Sequence, residues 1–352
     1  MSAMPKFSVV LAGYQTAPYL EKSLGSIKNQ TFQDFEAICY VEESTDDSLA
    51  ICRSVADCDP RFKVVSAPKS GAVSSTRNYG IDHAAGEYLV FVDGDDWVRT
   101  DMLERLAAKL DDTGEVDVLA FAADTLQSGD EYPAKAKRMS NFGARDAEGT
   151  FTGLDAIRRT GRNGGSLHNF TCFSAYRTAF LRGHGIYQQV GRVMEDFEWT
   201  PRVWFAAKRF AYLDEALYVY RRRANSLTTE ASARIATDVV ANLRSLLGFV
   251  AANDIPGDIL AIWANQWFAL LCWFMFHPVT SRKISDADRL QALRSLMADG
   301  GRESLKRLAP KLSRPRRLAF PLVLLAARGM QLPAKVFFRR LYYPLIELRQ
   351  RQ

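Results

Sequence analysis

Three carboxylates crowd the end of one apolar run, where Tyr88-Leu-Val-Phe-Val leads directly into Asp93-Gly-Asp95-Asp96-Trp97. Close carboxylates repel one another unless a hard cation sits between them, and Mg2+ or Mn2+ accepts one or two carboxylates while keeping positions for phosphate oxygens. A nucleotide diphosphate meets that requirement. The plainer alternative is an acidic turn that caps the helix beginning near Thr100, but three aspartates behind five apolar residues favour a site. A second acidic pair, Glu195-Asp196, follows the glycine-containing stretch 183–191 and precedes an aromatic helical stretch, Phe197 to Phe205, that includes Trp199. Its position predicts a helix start, where the pair serves either as a cap or in acid–base chemistry. Arg221, Arg222 and Arg223 end another strand-like run, and alternation puts Arg221 and Arg223 on one side, suited to clamp a diphosphate. His168, in Ser166-Leu-His-Asn169, is either an acceptor-pocket residue or a satisfied structural histidine.

The elements that must position these groups are legible as alternating patterns. Phe7 to Ala12, Phe35 to Val41, Phe62 to Val65, Tyr88 to Val92 and Val116 to Ala122 read as strands. Tyr19 to Lys28, Ser48 to Ala56, Ser74 to Ala84 and Asp101 to Leu110 read as the helices between them. The alternation predicts βαβ units around a largely parallel sheet, whose ligands gather beyond the carboxyl ends of the strands. The aspartate cluster falls at such an end. Thr125 to Thr152 is polar with little periodicity and reads as an excursion, Phe210 to Tyr220 as a return to strand, and the chain from Ala231 onward as helical.

With 352 residues and 47% hydrophobic content the chain can bury a substantial core, in two domains or one enlarged domain. The 5 cysteines are odd in number and scattered without a CxxC pair, which argues against a disulfide framework or a zinc site and for a reduced, cytoplasmic protein. The first residues lack the pattern of a signal peptide. The net charge of +6 is uneven: Arg302 to Gln352 carries thirteen Lys/Arg against Glu303 and Glu347, leaving −5 for everything before it. A basic tail on a mildly acidic body suits an anionic surface. Ile259 to Val279 is uncharged and long enough to cross a bilayer, but Asn265, Gln266 and the spread of Trp263, Trp267 and Trp273 fit a buried or membrane-resting helix better. Arg314 to Arg317 and Lys335 to Arg340 bracket apolar runs, the composition of helices lying in a lipid interface.

The chain resembles the inverting glycosyltransferases of family 2, whose GT-A fold places an Asp-x-Asp motif at this strand end. The likeness runs through roughly the first two thirds of the chain. It comprises Phe7-Ser-Val-Val-Leu-Ala-Gly-Tyr14-Gln15, Tyr19-Leu20, Ser26-Ile-Lys-Asn-Gln30-Thr31, Val41-Glu-Glu-Ser-Thr-Asp46-Asp-Ser48, Thr76-Arg77-Asn78-Tyr-Gly80-Ile, Gly86-Glu-Tyr, the aspartate cluster, Glu195-Asp196 and Tyr220-Arg-Arg-Arg223-Ala-Asn-Ser226. The resemblance implies an α/β, GT-A fold, Rossmann-like and mostly parallel, with a catalytic domain at 1–229 (donor half about 1–124, acceptor half about 150–229) and a helical region at 230–352. It implies that residues after the first two strands, among them Ala12, Tyr14 and Glu42, hold the nucleotide base and ribose. Asp93 would address the ribose and share with Asp95 a Mn2+ or Mg2+ ion, Asp96 and Trp97 would support them, and Arg77 would lie near the donor's base or diphosphate. Asp196, with Glu195 beside it, would be the general base, Arg223 a diphosphate clamp, and His168 and Trp199 acceptor residues. Two departures bear on the donor side: Gln15 replaces the usual Asn, and Glu42-Glu43-Ser-Thr-Asp46 is one residue shorter than the family's acidic run.

The expected reaction is metal-dependent transfer of a sugar from a nucleotide-diphosphate donor, with uridine the expected base, onto a glycan or lipid-linked acceptor in surface-polysaccharide synthesis. The expected location is the inner face of the cytoplasmic membrane, held peripherally, with no nucleic-acid partner. A Mg2+-dependent phosphohydrolase would use Asp93 and Asp95 but leaves Glu195-Asp196 unexplained. A catalytically silent nucleotide-sugar-binding subunit would not need the full carboxylate set. No Gly-x4-Gly-Lys-Ser/Thr loop and no Gly-x-Gly-x-x-Gly after the first strand supports another phosphate-binding design.

Overall fold

A computed structural model of the chain describes residues 4–162, 169–223, 233–277 and 284–343. It divides into two compact units, 1–224 and 225–352. The first is built on β1 (Phe7–Gly13), α1 (Ala17–Lys28), β2 (Phe35–Glu42), α2 (Ser48–Ala56), β3 (Phe62–Ala67), α3 (Ser74–His83), β4 (Tyr88–Asp93), β5 (Trp97–Val98) and α4 (Met102–Thr113). These are followed by β6 (Val118–Gln127), β7 (Lys137–Met139), α5 (Gly153–Arg162), β8 (Ser174–Arg177), α6 (Thr178–Gly183), α7 (Asp196–Ala206) and β9 (Phe210–Arg222).

The strands form one mixed sheet in the order β3-β2-β1-β4-β8-β6-β9-β5, with β7 paired to β6. β3, β2, β1 and β4 are parallel, and β8 then enters antiparallel between β4 and β6. Strands β1 and β4 are continuously apolar because helices and neighbouring strands cover both faces: Phe7, Val9, Leu11, Tyr88, Leu89, Val90 and Val92 are all fully buried. Helix α3 lies close on β1, and a Cβ on its Gly80 would come within 2.7 Å of Val10 Cγ2, so the glycine permits that approach. The polar stretch 125–152 is not a detached excursion. β6 runs through Gln127, β7 pairs with it, and Met139, Phe142 and Phe151 are buried against Trp204, Phe210 and Tyr212.

The second unit comprises α8 (Ala233–Ala252), α9 (Gly257–Phe276), α10 (Asp286–Met297), α11 (Gly301–Leu308), α12 (Arg314–Ala327) and α13 (Gln331–Phe337). α8 and α9 are long and apolar enough to cross a membrane by length and composition alone. Much of α9 faces the core of its unit: Trp263 and Trp267 are buried and stacked 5.4 Å apart, whereas Trp273 is half-exposed. The last residues of its apolar run, 278 and 279, lie outside the described residues. Arg289 ties three helices together, its buried guanidinium donating to the Met275 carbonyl (2.6 Å), the Ile284 carbonyl (3.2 Å) and Gln331 Oε1 (3.2 Å).

Candidate active site

β1, β2 and β4 end at the same edge, so the loops that follow them converge there. Ala12, the penultimate residue of β1, is paired in register with Tyr40 of β2 and Asp93 of β4. The chain must turn sharply after Asp93, and Gly94 N–H donates to the Ala12 carbonyl at 2.9 Å. A Cβ at Gly94 would approach that carbonyl oxygen to 2.7 Å, so only glycine fits and the aspartates on either side are set by this contact.

The β1–α1 and β2–α2 loops lock together. Thr16 N–H donates to Ser48 Oγ and Ala17 N–H to Asp46 Oδ2, both at 3.0 Å, so Asp46 and Ser48 satisfy the first backbone donors of α1. Gln15 holds a left-handed backbone (φ 49), with its N–H donating to Ser44 Oγ at 3.0 Å. Tyr14 is half-buried under Lys69, whose Nζ lies 4.6 Å from the ring centre and 2.5 Å from the hydroxyl. Glu42 is buried at the end of β2 and accepts from Ser70 Oγ, while Glu43 is exposed.

The three aspartates have different partners. Asp96 is fully buried; it accepts from Tyr218 Oη at 2.6 Å and from Arg221 N–H at 2.7 Å, and so anchors the turn to β9. Tyr218 also receives Asp93 N–H at 3.1 Å. Asp95 accepts from Arg223 Nε at 2.6 Å, and Arg221 Nε donates to the Asp95 carbonyl at 2.8 Å. Burial, and then the Asp93 charge, raise the Asp95 carboxyl above its ordinary value despite Arg223. Trp97, buried in β5, stacks beneath Lys22 (3.6 Å) and Arg221 (4.7 Å).

Glu195 and Asp196 arrive from the far side of the site. Met194, just before them, is left-handed (φ 61), and α7 begins at Asp196. The side chains of both reach Arg77, which donates from Nη1 to Glu195 Oε1 (2.6 Å) and Asp196 Oδ1 (2.8 Å), and from Nη2 to Asp93 Oδ1 (3.3 Å). Thr171 Oγ1 donates to Asp196 as well. Asp196 is the more accessible of the pair, with 18% of its side chain exposed against 8% for Glu195. Burial, reinforced by the Asp196 charge, pushes Glu195 up to about 8; burial also raises Asp196, against the lowering effect of Arg77. One guanidinium cannot balance three carboxylates in low dielectric, so Glu195 is held toward its protonated form.

Two site expectations change. Arg77 does not present its guanidinium to solvent beside a diphosphate; it is 3% exposed, with both Nη atoms donating to the carboxylates and Nε buried without a partner among the described residues. Trp199 is not an acceptor residue but core, with 0% exposure, its indole N–H donating to the Ile186 carbonyl (3.1 Å) and its ring against Phe91 and Tyr176. A tryptophan four residues inside an amphipathic helix faces whatever the helix packs on, and the first residues of α7 look toward the site while Trp199 looks inward. His168 and residues 224–226 of the arginine-containing motif lie outside the described residues. Thr171, Cys172 and Tyr218 went unread in the sequence, since they occupy ordinary-looking positions in strand and turn patterns.

The donor set suits a hard divalent cation. Among the described residues no three His, Cys, Asp or Glu side chains converge as a ready-made cage. Asp93 and Asp95, 31% and 20% exposed, instead offer carboxylate oxygens at an open turn, where burial and then the Asp93 charge raise the Asp95 carboxyl. Mg2+ and Mn2+ commonly bind through one or two carboxylates and complete their shells with substrate phosphates and water.

Residues 8–184 match the model of glycosyl transferase family 2. The glycosyltransferase GlyG of Streptococcus pneumoniae serotype 4 (strain ATCC BAA-334 / TIGR4) is 29% identical over 66% of this chain and 76% of its own length. Among solved structures, S. aureus TarS 1–349 in complex with UDP-GlcNAc superposes with a TM-score of 0.72 at 21% identity, covering 95% of this chain and 91% of that one. The mannosyltransferase PcManGT of Pyrobaculum calidifontis, in complex with GDP-Man and Mn2+, gives a TM-score of 0.52 at 16% identity over 94% and 88% of the two chains. The first unit therefore has the GT-A fold, and the chain is a glycosyltransferase belonging to family 2.

Proposed function

We propose that the protein transfers a sugar from a uridine-diphosphate donor to a hydroxyl of a glycan or lipid-linked acceptor, with inversion and with a divalent metal, in bacterial surface-polysaccharide synthesis. The observation that carries this reading is Arg77, which joins Asp93 at the strand end to Glu195 and Asp196 across the site, so that donor-side and acceptor-side carboxylates are held as one group.

In this scheme Ala12, Tyr14 and Glu42 border the base and ribose, and Asp93 and Asp95 hold Mn2+ or Mg2+. The metal supplies positive charge for the diphosphate. Arg223, which donates to Asp95 at 2.6 Å, would also serve phosphate oxygens of the donor. Asp96 and Tyr218 keep the turn rigid. Asp196 accepts the proton of the acceptor hydroxyl as its oxygen bonds to the anomeric carbon, while the bond to the nucleotide's terminal phosphate oxygen breaks on the opposite face. Glu195, protonated, and Thr171 orient the base. Arg77 is a positioning residue rather than a donor contact. The UDP-GlcNAc bound to TarS supports the choice of donor, and the Mn2+ of PcManGT supports the metal.

The test is a pair of substitutions. Asp95→Asn should abolish Mn2+-dependent strengthening of UDP binding and lose turnover by about 10²-fold or more, the scale of removing a main electrostatic contributor. Asp196→Asn should bind UDP and metal normally and lose transfer, with wild-type product inverted at the anomeric carbon. Retained transfer in Asp196→Asn, or a product of retained configuration, overturns the mechanism. Peripheral contact with the inner face of the cytoplasmic membrane through the basic C-terminal segment belongs to the same reading, because it would bring the site to a lipid-linked acceptor.

A further inference from the structure

Helix α12 is apolar on two opposite faces. Its inward face, Ala319, Phe320, Val323, Ala326 and Ala327, is buried in the helical unit. Its outward face carries Leu318, Pro321 and Leu325, which fall on one stripe at helical spacing, with Leu322 at its border. Leu318 is 75% exposed, Pro321 is exposed and Leu322 and Leu325 are partly buried. The next helix also exposes apolar side chains: Leu332 (71%) and Val336 (45%) are one turn apart on α13, and Met330 (50%) lies between the two helices in sequence. Four of the seven large hydrophobic side chains exposed among the described residues lie between 318 and 336. Scattered exposed leucines are ordinary, but their concentration on two consecutive helices marks a surface suited to being covered.

The charges around the stripe say what covers it. Arg314 and Arg317 stand at its start and Arg328 at its end, on the same side of α12, and Arg339 and Arg340 follow Val336 by one turn; all five are exposed. Between Glu303 and Glu347 the sequence has no acidic residue. Among the described residues, the single carboxylate ion pair made by α12 or α13 is Lys335 with Asp286. An apolar stripe fenced by arginines, on helices that carry no acid of their own and meet one at Asp286, where Lys335 neutralises it, is complementary to a bilayer surface whose headgroups are anionic and whose acyl region begins a few ångströms deeper.

We propose that the outward face of α12 and α13, centred on Leu318, Leu322, Leu325, Leu332 and Val336, lies in the interface of an anionic membrane, with the five arginines at headgroup level. The proposal rests on the peripheral-membrane reading above and assigns it to this face rather than to α8 or α9. Burying the leucines gives a salt-resistant part of the attachment and the arginines a salt-sensitive part.

The test is sedimentation of the full-length protein with vesicles of phosphatidylcholine alone or with phosphatidylglycerol. The expected result is binding to the anionic vesicles that weakens, without vanishing, as salt rises. Leu318→Ser/Leu332→Ser/Val336→Ser should lower the partition coefficient about tenfold or more, as expected from removing several buried side chains, with unchanged circular dichroism and UDP affinity. Arg314→Gln/Arg317→Gln/Arg328→Gln should remove the salt-sensitive part alone. If the wild type ignores anionic vesicles, the membrane reading itself fails. If it binds and the leucine variant binds equally, membrane contact stands but not through this face. If the leucine variant instead turns a wild-type dimer into a monomer with no vesicle binding by either, the face is an interface between copies, and the proposal is overturned.

Discussion

Glu195 and Asp196 share one guanidinium, and the consequence is a difference in protonation between two adjacent carboxyls. Glu195 is raised to about 8 from 4.5 by burial first and the Asp196 charge second. The folded protein thus holds a proton that the unfolded chain has released above about pH 4.5. Stability from this group is complete below that value, declines as pH rises, and levels off above about 8. Glu195→Gln mimics the protonated form. It should keep transfer within about tenfold of wild type, since the proposed mechanism gives the proton-accepting role to Asp196, and its melting temperature should lack the decline expected of wild type between about pH 5 and about pH 9. Melting curves across that range decide the matter: a parallel decline in both proteins removes Glu195 as the source. Arg77→Met should be far more destabilising than Glu195→Gln in the same melting curves, costing about 3–5 kcal/mol because it leaves buried carboxylates without their cation.

These residues were unequally legible. The three aspartates announced themselves because carboxylates rarely follow a buried strand without a purpose, and Glu195-Asp196 because it opens a helix. What the sequence hid was that Arg77 joins the two sets, since the partners stand 118 and 119 residues away and no local pattern reports a contact of that range. Arg77 read as a donor residue because arginine suits phosphate; its burial depends on α3 packing against β1 and β4, which is tertiary information. Tyr218 was missed for the opposite reason. A tyrosine in a strand is unremarkable until its hydroxyl is seen to serve both Asp96 and Asp93 N–H.

At the level of elements, strand and helix periodicity located the parallel half of the sheet to within a residue or two, because β1, β2 and β4 are buried on both faces and bounded by clear turns. The other half was harder. β8 has 4 residues and β5 has 2, too short for alternation to register, yet β5 fixes Trp97 beside the aspartate turn. The turn itself supplies a sharp test of how geometry reaches the site. Gly94→Ala would drive a Cβ to 2.7 Å from the Ala12 carbonyl and 3.0 Å from Thr16 Oγ1, so the backbone carrying Asp93 and Asp95 has to move. The expected cost is about 1–3 kcal/mol in stability, the usual scale for overpacking. Metal-dependent UDP binding should fall by a larger factor than that stability loss alone implies. Calorimetric titration with and without Mn2+ would show it, and an unchanged metal increment would mean that the turn does not position the ion.

The whole chain divides at 224/225, and the two units have different claims on stability. Every described residue of the candidate site belongs to the first unit. A chain ending at Ala224 should therefore fold and keep UDP affinity within a few-fold of the full protein. Cutting the basic tail alone, before Arg314, is a different matter. The sequence reads that tail as an attachment, and half of it is core: Phe320 packs on Phe268, Phe338 stacks on Phe276 at 4.8 Å, and Gln331 and Lys335 hold Arg289 and Asp286. Removing α12 and α13 takes away Phe320, Val323 and Phe338 and uncovers the residues they cover, Phe268 and Phe276 among them, each worth about 1.5–3 kcal/mol of burial, against a net stability that for a domain is only about 5–15 kcal/mol. The chain ending at Ser313 should then aggregate or lose its helical unit, whereas the shorter chain ending at Ala224 stays monodisperse. Size-exclusion chromatography and thermal unfolding of the two truncations make the comparison. A well-behaved 1–313 chain with two intact transitions would show that α12 and α13 contribute little to the fold and serve attachment alone.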